Sequence, residues 1–192
     1  MVIPSYGQET HYIKKCGNTV SDVVYKEISK DSLEITVGTQ KSIHGFDQKH
    51  HNTSWKISDS SCNMNVTITL KDGLYHIIGT SEGKKIDKTV KSGGTPWVQN
   101  LAFFCGIIVP EDGTFEYECF RPGSFTLNQM TAKIEKDESS STRTCVRARP
   151  TGLAAKLFHA DYFFSPKSRK LNGYKAVEGG PGTPVTTWTP AE

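Results

Sequence analysis

The sequence predicts an α+β fold, in which one N-terminal helix packs on a central antiparallel sheet and a C-terminal extension follows. The helix is predicted at Thr19–Ser29, where apolar residues recur at helical spacing. Residues 64–78 and 101–120 instead have the turn residues and apolar patterns of strand hairpins. A helix followed by antiparallel strands is typical of α+β domains. The chain has 192 residues, 35% of them hydrophobic, which suffices for one core.

Composition limits the function classes to consider. The formal net charge is only +3, so total charge does not indicate nucleic-acid binding. No apolar run reaches the roughly 18 residues of a membrane helix, so we expect no membrane partner. Residues 1–12 lack the basic and apolar regions of a signal peptide, which leaves a cytosolic protein or a mature secreted chain.

Cysteines and sequons favour the secreted alternative. The chain has five cysteines and no CxxC pair, which argues against a zinc site. Asn52 and Asn65 each begin an Asn-X-Ser/Thr glycosylation sequon. An odd number of cysteines leaves one thiol that is free or that bridges two chains. We therefore predict a secreted, extracellular protein with disulfide bonds.

The elements of the N-terminal half follow from periodicity. Thr19 and Asp22 form a capping box at the start of the predicted helix. Its apolar stripe consists of Val20, Val23, Val24 and Ile28. Leu33–Val37 has the composition of a strand. Residues 38–55 are polar and contain three histidines, so we expect a long loop.

Two hairpins are predicted to supply the sheet. In the first, residues 64–70 alternate between apolar and polar, a Lys-Asp-Gly turn follows, and residues 74–78 form the returning strand. Residues 79–94 carry four lysines and are expected to form a loop. In the second, the apolar run 101–109 is typical of a strand buried on both faces. Residues 114–120 alternate as in a half-buried strand, and a short strand is expected within 125–134.

The last third of the chain is predicted to extend this domain. Residues 136–141 have the composition of a linker, 143–149 form a basic strand-like piece, and 152–164 fit a short helix. Residues 179–192 are rich in Gly, Pro and Thr and predict an extended or disordered tail. The predicted ranges are 11–120 for the α+β domain, 121–178 for an extension packed on or beside it, and 179–192 for the tail.

Five short motifs follow one another between residues 12 and 120. These are Cys16-Gly17 with the SDVVYKEI segment, Thr36-Val37-Gly38, Ser42-Ile43-His44, His51-Asn52, and the run Phe104 to Val109 that leads to Cys119. In their order and spacing they resemble the small secreted fungal guanyl-specific ribonucleases and the ribonuclease-like effectors of plant-pathogenic fungi. The family bridges its first and last cysteines, so the resemblance implies a disulfide between Cys16 and Cys119.

The resemblance also implies that catalysis has been lost. The family uses a carboxylate base, a histidine acid and an arginine. At the positions that correspond to the base, the acid and the arginine, this chain has His76, Pro110 and Trp97. We therefore predict no catalytic residues, no metal and no cofactor. The alternative is an active ribonuclease with a rearranged site built from His44, His76 and Glu82.

A basic, aromatic segment at residues 143–175 is the predicted binding surface. It carries eight cations against one acid, with aromatic residues between them, which suits RNA or an acidic protein. The predicted binding residues are Arg143, Arg147, Arg149, Lys156, Tyr162, Lys167, Arg169 and Lys170. The other interpretation is a packed aromatic face with a solvated basic rim.

Together these observations predict a secreted, non-catalytic ribonuclease-like effector that binds a host protein or host RNA. Delivery into a host cell and contact with a second chain through the unpaired cysteine are part of this hypothesis. Two other classes stay open: the active ribonuclease described above, and a secreted β-rich structural or ligand-binding protein.

Overall fold

The computed structural model describes residues 7–152, 158–177 and 182–191. These residues form fourteen strands, one α-helix, α1 (Leu101–Ile108), and a 3₁₀ turn at Lys136–Glu138. The strands are β1 (Glu9–Cys16), β2 (Thr19–Ser29), β3 (Ser32–Val37), β4 (Gln40–Phe46), β5 (Asn52–Asp59), β6 (Met64–Lys71), β7 (Leu74–Ser81), β8 (Lys84–Lys91), β9 (Phe115–Phe120), β10 (Leu127–Ile134), β11 (Thr144–Pro150), β12 (Ala160–Phe164), β13 (Leu171–Val177) and β14 (Val185–Pro190).

The fourteen strands make one sheet in the order β8-β7-β6-β5-β4-β3-β2-β1-β14-β13-β12-β11-β10-β9. Neighbours in sequence pair as antiparallel hairpins, except β8 and β9, which are separated by α1 and form the two ends of the sheet. The first strand pairs with the last, with Cys16 opposite Thr186. The sheet therefore contains strands from all three predicted ranges, 11–120, 121–178 and 179–192. The described residues contain no helix with the length and apolar character to cross a membrane.

The predicted α+β class is wrong, because the predicted N-terminal helix is strand β2. Burial along β2 alternates: Val23 and Tyr25 are buried, whereas Val20 is 61% exposed and Ile28 is 45% exposed. Two members of the expected helical stripe are thus exposed. The valines of this segment are β-branched and favour an extended backbone, and both sides of β2 pair, with β1 and with β3.

The predicted central strand at 101–109 is also wrong, because this run forms helix α1. The Asn100 side chain caps the helix by accepting the Ala102 backbone N–H at 3.1 Å. Leu101, Ala102 and Phe104 are buried, as expected for a helix that is apolar on all sides. An uninterrupted apolar run has no period that separates a buried helix from a buried strand. Consequently β9 pairs with β10 and not with this segment.

Other boundaries were predicted with mixed success. Strands β3, β6, β7, β9, β10 and β11 confirm the predictions at their positions. The predicted loops at 38–55 and 79–94 are wrong, because they contain β4, the start of β5 and all of β8. The predicted helix at 152–164 contains β12, and residues 153–157 lie outside the described part of the chain. The predicted tail contains β14.

The sheet packs around two hydrophobic clusters that share β9. The first contains α1 and inner residues of β1–β4 and β9–β13, and the second contains inner residues of β5–β7 with Trp97. Tyr117 of β9 belongs to the first cluster and Phe120 to the second, because they lie on opposite faces of the strand. Both faces of this end strand are therefore buried.

Glu118 joins β9 to the other end of the sheet. This side chain is fully buried and accepts hydrogen bonds from Tyr75 Oη (2.5 Å), Ser92 Oγ (2.9 Å), Gln129 Nε2 (2.8 Å) and the Gly93 backbone N–H. Residues 96–98 also hydrogen-bond along the outer side of β9. A buried carboxylate with this set of donors stabilises the approach of β7 and β9.

Candidate ligand-binding site

A pocket of about 230 Å³ lies between α1, the first part of β1, the second part of β2 and the loop before β13. Its apolar lining includes Tyr12, Tyr25, Phe103 and Leu171. Tyr12 and Tyr25 lie on the same face of the sheet because side chains alternate along β1 and β2. The Tyr25 ring lies 5.5 Å from the Tyr12 ring and 5.3 Å from the Phe103 ring, measured between centroids. Such walls suit a small, partly apolar molecule.

Both tyrosine hydroxyls are neutral at ordinary pH. Burial raises the pKa of Tyr12 to about 12, and it raises the pKa of Tyr25 further. Tyr12 donates its hydroxyl proton to the Leu171 carbonyl at 3.1 Å. The Tyr25 hydroxyl accepts from Asn100 Nδ2 at 3.5 Å, and within the described chain its own proton has no acceptor. Tyr25 therefore brings one unused donor to a buried wall of the pocket.

The mouth of the pocket is polar. Gln8, Thr10 and Glu27 lie on the strand side, and Ser168, Arg169 and Lys170 lie on the loop between β12 and β13. The backbone of Arg169 is left-handed, with φ of 54°, and its N–H donates to the Ser165 carbonyl at 2.8 Å. Arg169 and Lys170 are consecutive in this tight loop, and both line the pocket. Two of the predicted binding residues thus lie at the pocket.

A second group of predicted binding residues lies on the outer face of the sheet, where acidic side chains neutralise their positive charges. Arg147 forms two hydrogen bonds with the Asp161 carboxylate, at 2.6 and 2.8 Å. These bonds raise the pKa of Arg147 above its usual range. Glu135 lies 3.8 Å from Arg149 and 4.0 Å from Arg147. Arg147 and Arg149 therefore have intramolecular partners.

The remaining predicted binding residues are dispersed. Arg143 lies over the Phe163 ring at 4.8 Å, a cation–π contact. Tyr162 packs on Tyr174 with ring centroids 5.0 Å apart, on the inner face. Lys167 is exposed in the loop before β13, and Lys156 lies outside the described residues. The predicted surface at 143–175 is therefore divided between the pocket mouth, the outer face and the interior.

The structure does not assemble the rearranged ribonuclease site. His44 is 2% exposed in β4, and burial lowers its pKa to about 3. Its ring nitrogens contact Ser42 Oγ at 3.0 Å and Asn52 Nδ2 at 3.4 Å. His76 lies on the outer face of β7, opposite to the inner Tyr75 and Ile77, and Glu82 lies in the turn after β7. The predicted trio therefore does not converge.

The disulfide that the family resemblance implied, Cys16 to Cys119, is absent, because both cysteines have free thiols. Cys16 ends the central strand β1, whereas Cys119 lies in the end strand β9, with five strands between them in the sheet. Cys62 and Cys145 are also free, and the side chain of Cys105 is outside the described part. Burial raises the pKa of Cys119 and Cys145 to about 12, so their reactive thiolate forms are scarce.

The two sequons differ in access. Asn65 is exposed in β6 and can carry a glycan. Asn52 is 2% exposed; its Nδ2 contacts His44 and its Oδ1 accepts the Gln99 N–H at 2.7 Å. A glycan at Asn52 is incompatible with this packing.

Sequence reasoning missed the aromatic lining of the pocket. The available signal was the i, i+2 spacing of Thr10 and Tyr12 and of Val23 and Tyr25, which places each pair on one face of a strand. Phe103 had no comparable signal, because its position depends on how α1 packs on the sheet.

Over the ranges that the structure describes, no three His, Cys, Asp or Glu side chains come together in a way that would hold a metal ion. The observed chemistry is instead that of a pocket with aromatic walls and a charged mouth. Comparison of the chain with protein-family models, curated proteins and solved structures finds no match.

Proposed function

We propose that this protein is a non-catalytic binding protein that takes one small, partly apolar molecule into the pocket between α1 and β1–β2. The observation that carries the proposal is the aromatic lining formed by Tyr12, Tyr25 and Phe103. A dry cavity of about 150 Å³ accommodates benzene. The volume here, about 230 Å³, therefore leaves room for one ring and a short substituent.

This proposal develops the ligand-binding alternative and not the hypothesis of a host-protein or RNA surface. Arg147 and Arg149 have acidic partners within the chain, so recruiting them to phosphates would first break those contacts. The segments that resembled a ribonuclease helix and core strand are strand β2 and helix α1, and they give no support to a role by that analogy. Secretion stays a prediction, which glycan analysis of Asn65 would check.

The test uses 3-phenylpropionamide, a neutral probe with one ring. With about eleven heavy atoms, it should bind with a Kd on the order of 0.1–1 mM. Titration followed by NMR should shift the resonances of Tyr12, Tyr25 and Phe103 in a saturable manner. Thr10 lies at the pocket and His11 on the opposite face of β1, so the pair supplies a matched comparison.

Thr10→Phe should fill the pocket and weaken binding of the probe at least tenfold. His11→Phe adds the same ring outside the pocket and should leave binding unchanged. Circular dichroism of both variants checks that the sheet is intact. Absence of saturable shifts, or equal binding by folded Thr10→Phe, would refute the proposal.

A further inference from the structure

The charges at the pocket mouth are unequal and unsatisfied. Arg169 and Lys170 face one acid, Glu27. None of these three side chains has an ion pair within the described residues, although all lie on one rim. Arg147, in contrast, is held by Asp161 at 2.6 Å. The mouth therefore has an excess of one positive charge that has no partner among the described residues.

The backbone at Arg169 adds a second observation. A left-handed conformation with φ of 54° is unfavourable for arginine, and glycine would adopt it without strain. The loop nevertheless places a long cationic side chain there, next to Lys170. Residues in sparsely populated backbone conformations cluster at sites where a ligand is held. The strain and the excess charge occur at the same residue.

Hydrogen-bond donors continue from the mouth into the pocket. Ser168 and Thr10 offer hydroxyls and Gln8 an amide at the rim, and Tyr25 has its unused hydroxyl proton deeper in the wall. Glu27 is the one carboxylate among the lining residues. The set is dominated by groups that donate, which suits a ligand group that only accepts, such as a carboxylate.

We infer that the ligand is a small organic acid: one aromatic or alicyclic ring seated against Tyr12, Tyr25 and Phe103, with its carboxylate at Arg169 and Lys170. This inference rests on the proposed function, because it requires that the pocket be occupied at all. The guanidinium of Arg169 matches the planar carboxylate in two parallel hydrogen bonds, and Lys170 adds a point charge. Glu27 disfavours ligands of higher negative charge.

Three probes with one skeleton and different charges test the assignment. These are 3-phenylpropionate, 3-phenylpropionamide and 3-phenylpropylamine, titrated separately by NMR. Hydrogen bonds to charged groups are about two to three times stronger in net effect than neutral ones. We expect the anion to bind at least tenfold more tightly than the amide, and the amide more tightly than the cation.

Variants at the pocket mouth show which residues cause the preference for the anionic probe. Arg169→Gly removes the cation, so it should weaken binding of the anion at least tenfold. Because it also relieves the left-handed strain, the free energy of unfolding should stay the same or rise. Lys170→Gln should weaken binding of the anion several-fold. Lys167→Gln is the matched control, since Lys167 is exposed on the same loop and does not line the pocket. Glu27→Gln removes the negative charge at the mouth and should therefore strengthen binding of the anion.

The outcomes separate the two proposals. If no probe binds, the proposed function fails and the inference with it. If the amide binds and the anion binds no more tightly than the amide, the pocket does bind a ligand but the organic-acid assignment is overturned. Tighter binding of the amine would also overturn it, and would indicate a cationic ligand at Glu27. An anion preference that persists in the Arg169→Gly, Lys170→Gln double variant would show that the preference arises elsewhere.

Discussion

At the scale of single residues, His44 links folding to pH. Its ring is stacked near Phe46 and Trp55, with centroids 6.1 Å from each, and is fully enclosed. Because Asn52 Nδ2 can only donate, His44 Nδ1 accepts and Nε2 carries the proton, which it donates to Ser42 Oγ. The folded protein thus requires the neutral ring, and protonation would bury a charge without a counterion.

We predict that His44 makes the folded state less stable in acid. Its pKa is about 3 when folded and about 6.5 when unfolded, so between these values the unfolded chain binds a proton that the folded chain does not. The contribution of His44 to the free energy of unfolding is fully present above about pH 6.5. It falls by about 1.4 kcal/mol per pH unit as the pH decreases towards 3. Urea unfolding at a series of pH values measures this slope.

His44→Gln cannot titrate and should lose this part of the pH dependence. His11→Gln is the control, because the His11 side chain is 53% exposed and its replacement should leave the slope almost unchanged. Comparing variants removes the contributions of the carboxylates, which also titrate in this range. A His44→Gln protein with the wild-type slope between about pH 6 and pH 4 would contradict the assignment.

At the scale of elements, β8 illustrates how charge protects the end of a sheet. Four lysines lie on this strand, and all are exposed: Lys84, Lys85, Lys88 and Lys91. Its outer backbone groups have no strand partner in the described chain, and Ile78 of the adjacent β7 is 55% exposed. Lysines on such a strand oppose pairing with a second copy. The other end of the sheet, β9, is covered by residues 96–98 instead.

We predict that replacing these four lysines by threonine allows β8 strands of two molecules to pair. Threonine favours strands and removes the repulsion, so the weight-average mass should rise with protein concentration. Sedimentation velocity measures this, and the unaltered protein is the reference.

Two controls separate edge pairing from a change of net charge. Arginine at the same four positions keeps the charge and should not associate. Threonine at four exposed or partly exposed lysines elsewhere changes net charge equally and should also stay unassociated; suitable positions are Lys15, Lys30, Lys133 and Lys167. Equal association of this second control would mean that β8 has no special role.

Among the elements that the sequence predicts correctly, the 64–78 hairpin is the one with two agreeing signals. The 64–78 hairpin combines alternation with a Lys-Asp-Gly turn, and its strands are β6 and β7. The valines of β2 satisfied helical spacing by chance, because an outward Val20 and an inward Val23 are both apolar. Periodicity assumes that apolar residues share one face, and β2 violates that assumption.

The candidate site was predictable in part for the same kind of reason. Arg169 and Lys170 were identified because charge is visible in the sequence. The sequence does not show that Arg147 is separated from them and neutralised, because this depends on which acid lies opposite Arg147 in the register of β11 and β12. The aromatic wall needs the packing of α1 against β1 and β2, which no local pattern encodes.

At the scale of the whole molecule, the pairing of β1 with β14 closes the sheet in its middle. Five residue pairs join the two strands, from Tyr12–Pro190 to Cys16–Thr186. Without β14, both β1 and β13 would have unpaired backbone groups at the centre of the sheet. Thr186, which is fully buried, would also leave the interior.

We therefore predict that a chain ending at Thr183 lacks a cooperative unfolding transition. Urea titration followed by circular dichroism and by binding of a hydrophobic dye measures this. A synthetic peptide of residues 184–192, added in excess, should restore cooperativity, and a scrambled peptide should not. A truncated chain that unfolds with the wild-type midpoint would show that the closing strand contributes little.

This closure also sets an order of events during synthesis. The partner of Cys16 is made about 170 residues later, which at typical elongation rates is roughly 10 to 30 seconds. Throughout that interval one side of β1 has no native partner, while the hairpins β1–β2 to β7–β8 are already available to form. The nascent protein is thus an incomplete sheet with an open strand, and its period of greatest risk of association ends when β14 has left the ribosome and pairs with β1.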